Sequence, residues 1–280
     1  TSTTTLTTFA KAVGGTIALD NININPTNNE TVSVTFDATV KASTITIGNV
    51  TDSAGDDTAI IFEAQAADYT VTGTINQAIA ADEVVINVQD TTNNTAADTI
   101  TFASKVGNLV AIDAINVGSA TVGGDAIFND DLSVTTLSLV AGNTTAEDAI
   151  VTVKGDVTAT SIILNEATGQ PILNISGAAA QTITGAITTL DDDKGAVSVV
   201  NTTGVTFNGA IGETAKKMLS VTIADGADTT FKGAINALTL DINTNAAGEI
   251  MQLDVAGHVI GNNGGAGGAL QIAGGEIQLG

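Results

Sequence analysis

Residues 230–240 read TFKGAINALTL: a Phe, a Gly two positions on, then an alternating apolar run. The first six positions return as TFNGAI from Thr206, TITGAI from Thr182 and DVAGHV from Asp254, so four copies begin at evenly spaced positions, a constant step of 24. A step that regular marks duplication of one structural unit, and a period of roughly 20–50 residues is the sequence signature of a repeat architecture.

The same six-residue pattern can be followed back through Thr152 (TVKGDV), Ile127 (IFNDDL), Thr101 (TFASKV), Thr70 (TVTGTI) and Thr35 (TFDATV), which makes nine copies. The second position is always apolar (Phe36, Val71, Phe102, Phe128, Val153, Ile183, Phe207, Phe231, Val255), and so is the sixth (Val40, Ile75, Val106, Leu132, Val157, Ile187, Ile211, Ile235, Val259). Five of the seven Phe fall on the second position, with Phe9 and Phe62 outside it. This predicts one internal aromatic-aliphatic column. Successive starts are spaced 35, 31, 26, 25, 30, 24, 24 and 24 apart, so loop insertions are expected near 49–60 and 82–99.

Thr, Val and Ile recur at every second residue, as in TVSVTF at 31–36, which is the period of a pleated strand. A unit of about 24 residues with two or three short strands fits one turn of a stack. The expectation is an all-β chain forming a repetitive parallel β-solenoid, like a right-handed β-helix. The alternative is tandem β-sandwich domains, above all in the N-terminal third, because short strands at this spacing suit a sandwich as well. Restating one pattern nine times favours the solenoid. Three regions are expected. Positions 1–30 hold a Thr-rich leader and a strand within 15–24, acting as a cap, linker or donated strand. Irregular β repeats with insertions occupy 31–125, and regular repeats with the bare unit occupy 126–280.

Composition narrows the function classes. Hydrophobic residues make up 43% of the chain but aromatics only 3%, with no Trp, so the core must be thin and aliphatic. Thirty acidic residues stand against eight Lys and no Arg, a net charge of −22. Phosphate neutralisation needs clustered Lys and Arg, so nucleic acid is not an expected partner; anionic membrane surfaces are disfavoured by the same sign. No apolar run is long enough to cross a bilayer as a helix, and no transmembrane segment is expected. Cys is absent, so no disulfide framework exists. The chain opens on Thr1 without an initiator Met and closes in GGEIQLG, which reads as mid-repeat; a removed leader or a piece of a longer protein is expected.

The only concentrated charges are Asp56-Asp57, Asp130-Asp131 and Asp191-Asp192-Asp193, all in predicted turns. Turn carboxylates bind Ca²⁺ when several oxygens converge, so these residues are candidates for weak structural calcium, against the plainer reading of solvated turns. His258, the one imidazole, has no Cys or second His beside it and makes no transition-metal site. GNNGGAGG at 261–268 lacks the Lys-Ser/Thr ending of a phosphate loop. The Lys residues are scattered, and Tyr69 is the single Tyr, so neither a lyase base nor a sugar platform is apparent and no enzyme is expected. Six Asn-x-Ser/Thr sequons begin at Asn29, Asn49, Asn93, Asn143, Asn174 and Asn201.

With the repeat laid out, TTGVTFNGAIGETAKKMLSVTIADGADTTFKGAINALTLDI at 202–242 resembles the repeat regions of bacterial surface-layer proteins and of autotransporter passenger domains, which pair a TFxGxIG segment with an LxxVTI segment. The likeness covers 125–280 well and 1–120 loosely. It implies an extracellular, cell-surface role without catalytic residues: a structural subunit or repeat region of an S-layer or surface filament that self-assembles, with cell-envelope polysaccharide as a further partner. An adhesin that binds a surface or host ligand is the alternative.

Overall fold

In a computed structural model the chain is described at residues 4–25, 31–48, 57–65, 67–80, 83–90, 98–145, 147–242, 250–253, 259–260, 269–272 and 276–279, the strands beyond 242 by their backbone alone. Every described strand lies in one of two parallel sheets, and as far as strand Asn236–Ile242 successive strands alternate between them. One sheet runs Thr4–Phe9, Thr31–Phe36, Asp57–Ala64 and onward; the other runs Leu19–Ile24, Val40–Ile47, Tyr69–Gln77 and onward. The result is a parallel β-solenoid of about eight turns, and the sandwich alternative for the N-terminal third is overturned by the parallel pairing there. Within the Thr-rich leader, Thr4–Phe9 is a strand in register with Thr31–Phe36, and Leu19–Ile24 pairs with Val40–Ile47.

Alternation along each strand sends every second side chain inward. Parallel register then stacks like on like into interior ladders, of which four meet at the repeated hexapeptide. One runs Phe9, Phe36, Phe62, Val88, Val117, Leu139, Leu164 and Thr189. A second runs Val40, Val71, Phe102, Phe128, Val153, Ile175, Val199, Ile223 and Ile242. The third runs Ile45, Ile75, Val106, Leu132, Val157, Ile183, Phe207 and Phe231. The fourth runs Val34, Ile60, Ile86, Ile115, Leu137, Ile162, Ile187, Ile211 and Ile235. Apart from Phe9 at the end of the stack, all are buried.

The single predicted column therefore needs correcting. Its described members are all interior, but they belong to three ladders: Phe36 to the first, Val71 through Val153 to the second, and Ile183, Phe207 and Phe231 to the third. Phe9 and Phe62 are not outside the pattern. They sandwich Phe36, with ring centroids 5.3 and 5.6 Å apart, and Phe62 meets Phe102 edge to face at 5.2 Å. Phe102–Phe128 and Phe207–Phe231 stack at 4.9 and 5.1 Å. Such offset and edge contacts add about 0.5–1.5 kcal/mol per pair beyond burial.

The reason for the split is that the motif encodes a corner, not a place. Two inward residues four apart flank a bend, and that bend moves around the cross-section. Phe36 and Val40 turn from the first ladder to the second; Val71/Ile75 through Val153/Val157 turn from the second to the third; Ile183/Ile187, Phe207/Ile211 and Phe231/Ile235 turn from the third to the fourth. Each move occurs at an irregular step. Val40 pairs with Val71 and Val157 with Ile183, so in both places the sixth motif position of one copy meets the second position of the next.

In the copies from Thr206 and Thr230, glycine at the fourth motif position is required by stacking. A Cβ on Gly209 would sit 2.0 Å from the Gly185 carbonyl oxygen, and one on Gly233 would sit 2.3 Å from that of Gly209. Gly185 itself has φ +115°, open to Gly at no steric cost.

Candidate polar and assembly sites

Where a parallel stack turns, backbone N–H groups at the start of a strand face the turn beside them, and carboxylates accept from them. Asp131 Oδ1 accepts from the Asp156 N–H at 3.1 Å, and Asp156 Oδ1 from the Thr182 N–H at 2.7 Å, which ties three turns together. Lys105 Nζ lies 2.7 Å from Asp131 Oδ2, and this bond holds the Asp131 carboxyl below its usual range. Asp130 Oδ1 accepts from the N–H of Asp131.

The Asp191–Asp193 triplet is engaged in the same way. Asp192 accepts from the Lys217 N–H at 2.9 Å and from its Nζ at 2.7 and 2.9 Å. The Lys217 hydrogen bond lowers the Asp192 pKa. Lys217 is only 3% exposed. Asp193, at φ 59°, approaches the same ammonium at 3.7 Å, while Asp191 is exposed at the turn. Asp56 lies outside the described residues; Asp57 opens strand Asp57–Ala64, paired with Thr31 and Glu83. Among the described residues, no three acidic or imidazole side chains are grouped so as to hold a metal ion. Asp131 and Asp192 are held by lysines and by backbone of neighbouring turns. His258 and the Gly-rich 261–268 also lie outside the described residues.

A second acidic group was not visible as a sequence cluster. Asp68 accepts from the Thr99 N–H at 2.7 Å, Asp125 from Ile150 at 3.1 Å, Asp148 from Gln170 at 2.7 Å, and Asp90 from Asp98 at 3.3 Å. Scattered in sequence, these residues are brought to one flank by register. Burial pushes the Asp125 carboxyl up to about 6, with the charges of Asp148, Asp90 and Asp68 adding to it and the Ile150 N–H opposing. A positional signal was available for two of them: Asp68 and Asp148 each stand just ahead of a strand.

Two interior polar side chains meet at the second place where the corner moves. Gln181, 3% exposed, accepts from Gly177 N–H at 2.6 Å and donates to the carbonyls of Val153 and Gly155 at 3.2 and 2.8 Å. Asn201, 1% exposed, donates to Ala179 O and Gln181 Oε1, both at 2.7 Å, and accepts from the N–H and hydroxyl of Thr203. This network holds the loop that widens the turn between Ile175 and Ile183. Tyr69 is no sugar platform: it is buried, its hydroxyl donates to Phe36 O at 2.9 Å, and burial raises its pKa beyond the ordinary tyrosine range. On the outward faces, Asn87 and Asn116 form a rung of side-chain amides at 3.0 Å.

Two open surfaces stand out. A groove of about 350 Å³ runs beside Lys105, Asn108, Leu109, Asp131 and Asp156. At the first turn, Phe9, Val13, Leu19, Ile22 and Val34 line a recess of about 400 Å³ leading onto the core, and Leu6, Phe9, Ile17 and Leu19 are exposed there. No helix among the described residues is long and apolar enough to cross a membrane. Comparison with protein-family models, with curated proteins and with solved structures finds no match for the chain.

Proposed function

We infer that the chain is an extracellular structural protein: a subunit or repeat region of a surface layer or filament that self-assembles on the cell exterior. The observation that carries this reading is the parallel pairing that continues through about eight turns over one stacked apolar core. Such a stack is built for length and stiffness, since each turn contacts only its neighbours and repeats add along one axis. Edge strands at the ends of the sheets present backbone donors and acceptors to a further strand, which is how β-edges recruit partners. Copies of the same chain are the first partner, and cell-envelope polysaccharide the second. A charge of −22 keeps unassembled copies apart by repulsion that cations screen, so calcium acts on assembly through the acidic turns. The test is electron microscopy of the purified chain with and without calcium. Ordered lattices or filaments are the expected result; dispersed monomers under both conditions would overturn the reading.

A further inference from the structure

We propose that Asn143 is an acceptor for a covalently attached glycan, in the sequon Asn143-Thr144-Thr145. Three of the six sequons fall on described residues, and the fold treats them differently. Asn201 has no amide to offer: its nitrogen donates to Ala179 O and Gln181 Oε1, and its oxygen is taken by Thr203, the hydroxyl residue of its own sequon. Asn174 lies within strand Pro171–Ile175, flanked by Thr152 on one side and Ser198 on the other, where the backbone cannot bend out to an enzyme. Asn143, Thr144 and Thr145 are all exposed, between a buried Gly142 and a buried Glu147.

The base of this projection is fixed. Gly142 N–H donates to Glu147 O at 2.7 Å, and the Thr144 N–H donates to Glu147 Oε2 at 3.1 Å, with Glu147 only 5% exposed. The turn thus presents its tip to solvent with no described group holding the Asn143 amide. The chemistry is transfer from a polyprenyl-phosphate-linked oligosaccharide. The amide nitrogen forms a bond to the anomeric carbon, the bond from that carbon to the phosphate oxygen breaks, the lipid phosphate leaves with the electron pair, and the amide proton passes to an enzyme base. The inference draws on the surface reading only for where the chain would meet such an enzyme; acceptor competence stands on the turn itself.

Lysine spacing makes the test direct. Cleavage after Lys releases 106–154, 155–194 and 195–216, each carrying one of the three sequons. The folded chain is incubated with a single-subunit oligosaccharyltransferase and a lipid-linked oligosaccharide, then digested and weighed, alongside synthetic peptides of the same three segments. The expected result is a glycan on 106–154, none on 195–216 of the folded chain, modification of the synthetic 195–216 peptide, and loss of the mass shift in Asn143→Gln. An unmodified 106–154 segment beside a modified synthetic counterpart overturns the proposal, and so does equal occupancy of Asn201 in the folded chain. Neither outcome bears on whether the chain assembles, which the microscopy decides separately.

Discussion

At the scale of single residues, the interior leaves little room for change. Phe207 is 1% exposed and stacked on Phe231 at 5.1 Å; Phe207→Ala should cost about 3–5 kcal/mol, the range for a buried aromatic truncated to Ala. Denaturant titration followed by far-ultraviolet circular dichroism measures it, and wild-type stability in this variant would place the side chain outside. Asp125 works in the opposite direction. Its carboxyl is raised to about 6, so the folded chain binds its proton more tightly than the unfolded chain does. The penalty for carrying this charge is present in full above about pH 6 and is relieved as pH falls toward the unfolded value near 4. Asp125→Asn keeps an acceptor for the Ile150 N–H and removes the charge. It should raise stability at pH 7.5 by on the order of 2 kcal/mol, discounted for partial exposure, and flatten the gain on acidification between pH 7 and pH 5. A thermal melt series over pH reads both effects. Asp131 and Asp192 have lowered values because of Lys105 and Lys217, so their contribution is present above the ordinary carboxylate range and is lost as pH falls below it.

At the scale of the structural element, the unit of this fold is a bend flanked by two inward residues. Its existence was legible: the eight hexapeptides that fall on described residues are corners, and their apolar second and sixth positions are all buried. Which corner each one builds was not legible, because inward residues four apart satisfy any bend between adjacent ladders. The information sits instead in the long steps from Thr35 to Thr70 and from Thr152 to Thr182, which look like insertions and in fact contain a change of phase. Phe62 escaped for a related reason: strand Asp57–Ala64 lacks the bend that follows Phe36, so no hexapeptide marks it. The carboxylate row escaped because register, not adjacency, assembles it. At the second change of phase, the Gln181–Asn201 network replaces apolar packing in the widened loop. Asn201→Ala would leave Ala179 O and the Thr203 donors without their partner, and should cost about 1–3 kcal/mol. Hydrogen exchange should rise selectively at 176–182 and 200–204; uniform exchange across the molecule would show that the network is not a local clasp.

At the scale of the whole molecule, strand pairing among the described residues runs between adjacent turns, so stability is expected to be a sum over turns and their interfaces and not a single cooperative unit. Hydrogen exchange with mass spectrometry should reveal protection graded along the stack, deepest around strands Leu132–Ala141 and Val157–Glu166, where pairing is longest. A single sharp opening event for all amides would contradict this. The travelling corner has a further consequence, for inheritance. Within the C-terminal run a duplicated unit enters in phase and lengthens the rod by one strand spacing, about 4.8 Å, leaving every ladder intact. Unequal crossing-over between a copy from the first half and one from the second carries the phase offset with it, brings a bend to the wrong side and turns core residues outward. Length can therefore be gained or lost by recombination only among copies that share a corner, and the two phase changes act as genetic partitions within one continuous rod.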